Sequence, residues 1–383
     1  MHYLAYIFPI LINIMNGGMF FITAQRFAEA HASKMLITGT MVMWAFMYSV
    51  ASLVVGRFVT EARSAKMICV ASLMLMGTMI GAIVFSSLNM QFVWMAGLGI
   101  SGALYCTAFQ VFMKCLEKGQ ANGLVRSAAL YNAAWSLGLG TGPFIFGVMD
   151  WRISYGINAV FALLVAIGVM LIDKYCRSDA QSPSLQDGVQ SPEESGTEPF
   201  YKGRPSMVML GWVGGFFGTF TISILRSMEP ARAVELELSR FHSAMVLASV
   251  SYVQAIVSLL LLRGRLWMYN RMPLLLTGVC GVLGFLGIGY LHDLPLLYLS
   301  AVLYGIFSCT FYFRFVFHAL VHPTKSGFYV SINEAIVGIS STVAPFCAGL
   351  MSKGLSVSGI FLCCAAIVGL STVVQLFMAK DQH

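Results

Sequence analysis

The sequence predicts an all-α membrane protein: twelve transmembrane helices in two pseudo-symmetric six-helix bundles. Three observations carry this. Of 383 residues, 58% are hydrophobic and only 10% charged, against roughly 25% charged in soluble domains. The apolar residues gather in twelve runs, each near the ~20 residues that a helix needs to cross a ~30 Å bilayer core. One polar stretch, 174–206, divides the runs six and six.

In order, the runs are 4–25, 35–55, 66–86, 91–114, 124–148, 153–173, 207–226, 242–262, 273–291, 295–318, 327–350 and 355–378. They are too long and continuous for barrel strands. The first lacks a basic leader and reads as a span, not a cleavable signal. The stretch after the sixth carries Ser-Pro twice and a Glu pair, too little apolar content to fold, and is expected to be a disordered linker. The organisation is therefore an N-terminal bundle over 1–173, a linker over 174–206 and a C-terminal bundle over 207–383.

The two halves echo each other. Pro143-Phe-Ile-Phe-Gly147-Val-Met149 returns as Pro345-Phe-Cys-Ala-Gly349-Leu-Met351, 202 residues later. Arg26-Phe-Ala-Glu29 closes the first run and Arg226-Ser-Met-Glu229 the seventh; Gly56-Arg57 and Gly264-Arg265 follow the second and eighth. Both Arg/Glu sets are expected to pair at helix ends. Of 23 Lys and Arg, fifteen fall in alternate connections and the C-terminal tail, seven in the opposite connections, and Arg314 lies within a run. This bias puts both termini and the linker in the cytoplasm of a cell whose plasma or inner membrane holds the protein.

Other classes are disfavoured. The net charge of +7 is spread along the chain, so no nucleic-acid surface is expected. The nine Cys show no metal or redox spacing and read as small apolar residues in helices; no metal or cofactor is expected. There is no Gly-x-x-x-x-Gly-Lys-Ser/Thr loop and no His-Glu-x-x-His, so neither ATP-driven pumping nor enzyme chemistry is anticipated.

The pattern resembles the major facilitator superfamily of secondary transporters over nearly the whole chain. Gly56-Arg57-Phe-Val-Thr60-Glu61-Ala-Arg63 is similar to the family's Gly-x-x-x-Asp-Arg-x-Gly-Arg loop, with Thr60 in place of the Asp and Glu61 beside it as a substitute. Asn132-Ala-Ala-Trp-Ser-Leu-Gly138, followed by Gly142-Pro143 and Gly147, resembles the Gly-Pro motif of the family's fifth helix, with the spacing after Pro one residue longer. The resemblance implies that spans one, four, seven and ten line a central cavity, with a site near the midplane between two rocking halves.

Candidate site residues follow. Thr107, Gln110 and Lys114 fall on one face of span four. Arg314 and His318 take matching places in span ten at an offset of 204. They read as a solute-binding stripe; the bland alternative is that Lys114 and His318 snorkel at helix ends. Asn13 and Asn16 in span one are polar near mid-membrane, and Tyr105, Tyr131, Trp135, Tyr304 and Tyr312 supply aromatic walls or ordinary packing. Gly142, Pro143, Gly147, Pro345 and Gly349 are assigned to helix packing. Glu334 is the one carboxylate placed well inside a span. Arg314 and Glu334 stand at similar distances from the bend at 322–326, so they are expected to pair, either as a proton-coupling element or as a structural salt bridge.

The expectation is a monomeric secondary active transporter of a small polar or anionic organic solute, working by alternating access with a proton as coupling ion. The alternatives are a drug or metabolite exporter of the same fold and a non-transporting membrane scaffold or receptor.

Overall fold

The computed structural model describes residues 5–55, 58–117, 123–180, 206–261, 266–320 and 326–379. Most of the expected linker therefore lies outside the described residues. Within them the long apolar runs become twelve helices: α1 (Ile7–Glu29), α2 (Lys34–Val55), α3 (Glu61–Val84), α4 (Met90–Glu117), α5 (Gly123–Val148), α6 (Trp151–Ala180), α7 (Val208–Glu235), α8 (Arg240–Leu261), α9 (Arg271–Tyr290), α10 (Leu294–Leu320), α11 (Ser326–Met351) and α12 (Val357–Met378). A 3₁₀ turn, Leu266–Tyr269, precedes α9. Among the described residues there is no strand, and eleven helices are long and apolar enough to cross a membrane. The outward faces stay apolar: Leu53, Leu171, Leu276 and Leu370 are each more than half exposed, as side chains that meet lipid should be.

Within the first six helices α1 packs on α5, α2 on α4, and α3 on α4 and α6; within the last six, α7 packs on α10, α11 and α12, and α9 on α10 and α12. The two sets meet mainly along α5–α8 and α2–α11, with further contact between α1 and α7.

Contacts recur at a near-constant sequence offset. Gly147 packs against Phe241 and Ala244, and Gly349 against Met35 and Thr38. Gly99 abuts Trp44, and Gly305 abuts Val250, each residue 206 from its counterpart. α1 and α7 end alike. Ala32 N–H donates to Phe27 O, and Leu238 N–H to Ala233 O, both over a non-glycine residue of positive φ, His31 (50°) and Glu237 (54°). This left-handed residue closing a helix satisfies carbonyls that the last turn leaves open.

α7 runs nine residues beyond the end expected at 226. Pro230 lies inside it without ending it. The expected helix-end pairs are corrected accordingly. Arg226 and Glu229 lie within α7, and Glu229 is buried, accepting a hydrogen bond from Ser243 Oγ at 2.9 Å. Glu334 is thus not the sole carboxylate inside a span. The sequence Arg226-x-x-Glu229-Pro-Ala-Arg232-x-x-Glu235 holds the Arg-x-x-Glu pattern twice. The recurring contacts match Arg26 and Glu29 with the second copy, an offset of 206 instead of 200.

Candidate functional site

The halves touch through a polar contact at each main seam. On the α2–α11 side, Tyr48 Oη donates to Glu334 Oε2 at 3.0 Å. On the α5–α8 side, Gln254 Nε2 donates to Asn132 Oδ1 at 3.3 Å, while Asn132 Nδ2 donates to Ser258 Oγ at 2.6 Å. Gln254 is 206 residues after Tyr48, and Glu334 is 202 after Asn132. The two contacts therefore occupy corresponding places, one with an ionisable carboxylate and one built from neutral amides. Around Glu334, within electrostatic reach, are Cys106, Tyr131 and Tyr312.

Tyr312 also lies within electrostatic reach of Arg226. Arg226 is on α7, partly buried, with its guanidinium 5.7 Å from the centroid of the Trp135 ring on α5. Trp135 in turn packs on Tyr312 of α10, ring centroids 5.7 Å apart. Arg226 makes no hydrogen bond or ion pair among the described residues, and its Nη2 is buried without a partner. A cavity of about 20 Å³ adjoins it, lined among others by Phe20, Phe21, Leu139, Leu247 and Ser251.

At the end of the bundle carrying the α1–α2 and α7–α8 connections, two ion pairs cross between the halves. Arg240 Nη2 meets Glu29 Oε1 at 2.9 Å, and Lys34 Nζ meets Glu235 Oε1 at 2.7 Å. Glu29 and Glu235, and Lys34 and Arg240, are each 206 apart: one bridge made twice. Arg26 does not complete the helix-end pair expected with Glu29; it sits over the Trp151 ring at 4.2 Å and donates to the Ser86 carbonyl.

These features belong to a chain whose residues 7–312 match the family model of the Major Facilitator Superfamily. The chain belongs to the major facilitator superfamily. No curated protein matches the sequence. Superfamily members are secondary transporters, and this is the class of activity that membership gives the chain, without distinguishing substrates.

Within the superfamily fold the expected site residues separate into groups. The direct pairing of Arg314 with Glu334 is corrected. Arg314 is buried against the 3₁₀ turn, donating to Trp267 O at 3.4 Å with its guanidinium 5.2 Å from the Trp267 ring. No ion pair among the described residues joins it to Glu334. His318 is likewise buried, packed edge-on against Tyr269 at 5.6 Å. Similar distance from the bend gives similar depth but not a shared face, and Arg314 turns to the 3₁₀ turn; at the offset of 206 fixed by Gly99 and Gly305 it corresponds to Ala108, fully buried in its bundle, and Tyr312 to Cys106. The offset of 204 was two residues out, a slip that turns a helix by more than half a turn at 3.6 residues per turn.

Thr107 spends its hydroxyl on Ala103 O of its own helix, at 2.9 Å. Asn13 donates to Pro9 O at 2.8 Å, and Asn16 to Asn13 Oδ1 at 3.2 Å. Tyr304 is fully buried with its hydroxyl 3.1 Å from Thr221 Oγ1. Tyr105 stacks on Phe109 inside its own half. Gly56 and Arg57, and the side chains of Gln110, Lys114 and Glu61, lie outside the described residues; Arg63 is exposed near the start of α3. Gly142, Pro143, Gly147 and Gly349 sit at helix contacts, and Pro143 and Pro345 both lie inside their helices. Sequence reasoning missed Tyr48 and Cys106, and set Arg226 at a surface. The sequence carried no signal for Arg226, because Glu229 stands three residues after it; only the structure shows that carboxylate engaged by Ser243.

Proposed function

We propose that the protein is an alternating-access transporter of a small polar or anionic organic solute, coupled to protons through Glu334. The observation that carries this reading is the Tyr48–Glu334 contact. It puts an ionisable group on a seam that must change if the halves rock, where the corresponding contact, Gln254 with Asn132, joins two neutral amides. A carboxylate whose surroundings differ between two states has two proton affinities, which is what coupling requires. The halves, 1–173 and 207–383, act as two six-helix bundles related by a pseudo-two-fold axis, a relation supported by the contacts repeated near 206 residues. Uptake into vesicles with and without an imposed pH gradient tests the reading: gradient-driven accumulation supports it, and uptake unchanged by the gradient sinks the coupling. Orientation rests on the Lys and Arg bias, with both termini cytoplasmic; labelling of an Asp187→Cys variant in intact cells by an impermeant reagent would reverse it.

The two ion pairs at the α1–α2 end hold that end closed in this reading. Exposed pairs are worth about 0.2–1 kcal/mol each, so losing both shifts the closed–open balance by roughly two- to thirtyfold. Glu29→Arg with Glu235→Lys is therefore expected to raise impermeant maleimide labelling of a Ser251→Cys variant several-fold above the parental background. Adding Arg240→Glu and Lys34→Glu reverses both pairs and is expected to bring labelling back down. Labelling that ignores the charges would show that the pairs do not latch this end.

A further inference from the structure

We infer that Arg226 is the anchor for the anionic group of the solute, and that the solute is a monocarboxylate with an apolar or aromatic body. This deepens the transporter reading and rests on it. A cation in membrane-spanning surroundings with no counter-ion is costly and marks a functional site by default. Arg226 is such a cation: no hydrogen bond or ion pair reaches it among the described residues, and Nη2 is buried with no partner. Its surroundings come from both halves. Trp135 on α5 lies under the guanidinium, and Phe20 and Phe21 on α1 and Leu247 on α8 wall the adjoining cavity.

The place of Phe20 is informative. It is 206 residues before Arg226, the offset that relates Glu29 to Glu235. Corresponding positions of the two halves thus line one cavity, and that happens only near the axis relating them, where a site reachable from both sides must lie. The charge is an addition to one half, because its counterpart is a phenyl ring. Arg226 is the only charged residue among those lining the cavity, so the pocket balances one negative charge. A planar carboxylate matches the guanidinium fork with two parallel hydrogen bonds, and the rings favour an apolar or flat body over a polyhydroxylated one. At about 20 Å³ the cavity holds a water at most, so the solute enters when α1 and α5 part from α7 and α8.

The test is equilibrium binding to purified protein in lipid nanodiscs, read by thermal shift and by tryptophan fluorescence, with benzoate, its neutral isostere benzamide and the dianion phthalate. The parent is expected to bind benzoate saturably and at least tenfold tighter than the other two. Arg226→Gln is expected to lose at least tenfold in benzoate affinity, and Arg226→Lys to lose less, since it keeps the charge but not the fork. Should Arg226→Gln fail to fold, Trp135→Leu and the parental preference for benzoate over benzamide still decide: the Trp variant weakens benzoate binding if the ring supports the anchor. The inference is overturned if benzamide binds as well as benzoate, if Arg226→Gln binds benzoate like the parent, or if no benzoate binding occurs. Binding needs no gradient, so the two readings fail separately. Arg226-dependent binding without any counterflow of benzoate would sink transport and keep the anchor. Gradient-driven movement of another solute, undiminished in Arg226→Gln, would sink the anchor and keep transport.

Discussion

Glu334→Gln is expected to abolish accumulation driven by a pH gradient while leaving solute exchange near the parental rate. The Gln side chain keeps the shape of Glu, and its carbonyl can still accept from Tyr48 Oη, which lies 3.0 Å from the carboxylate. The seam therefore survives and only titration is lost. The corresponding seam shows that amides suffice for the contact, since Gln254 and Asn132 hold α5 to α8 through one. Tyr48→Phe makes the complementary change. It removes the hydroxyl and keeps the carboxylate, so accumulation is expected to persist with its pH dependence displaced. Arg314→Ala should act differently from both. It uncovers the Trp267 turn, lowers thermal stability and leaves coupling intact. Accumulation by Glu334→Gln equal to the parent's would make Glu334 structural and move coupling elsewhere. The measurement is paired: initial exchange rate and steady-state accumulation in the same vesicles.

Gly142→Val is expected to cost the most stability of any single change named here. A Cβ at Gly142 would collide with the backbone N of Gly18 and the backbone O of Ile14. Backbone atoms cannot rotate aside as a flexible side chain does, so α1 and α5 must separate. Overpacking a core typically costs about 1–3 kcal/mol, and a collision with several main-chain atoms of one neighbouring helix lies at or beyond the top of that range. Loss of most folded yield, or a clear fall in melting temperature, is the expected readout. Gly77→Ala and Gly156→Ala are the controls: nothing lies within 4 Å of an added Cβ at either, so both should behave like the parent. A Gly142→Val protein with parental yield and melting temperature would mean that the helices accommodate the bulk by shifting.

The superfamily and the helical architecture were legible in the sequence because they rest on coarse quantities: run length, charge content and the duplicated Pro-Phe-x-x-Gly-x-Met. The site was less legible because it depends on register. Arg314 drew notice as a cation in an apolar run, yet a run of hydropathy does not say which face of its helix a residue occupies. Matched distance from the bend gave the depth of Arg314 but not its face, which meets Trp267, and the two-residue slip in the offset concealed the correspondence of Tyr312 with Cys106. Arg226 escaped for a related reason. Hydropathy falls after residue 226 because Glu229, Pro230, Arg232 and Glu235 follow closely, although the helix continues to Glu235 and its last two turns meet partners from α2 and α8. Tyr48 could not have been singled out, since a tyrosine in an apolar run carries no mark until its partner across the seam is known.

The contact of α1 with α5 has a practical consequence. Gly17, Gly138 and Gly142 bring the two main chains together at successive turns, so neither helix can slide or tilt without the other. A pair of spectroscopic probes, one on each helix, would therefore report the same separation in every state the protein visits. That fixed interval is an internal ruler. Set beside it, a probe pair spanning Lys34 and Glu235 would read any parting of the halves directly, free of error from tumbling, detergent or probe length.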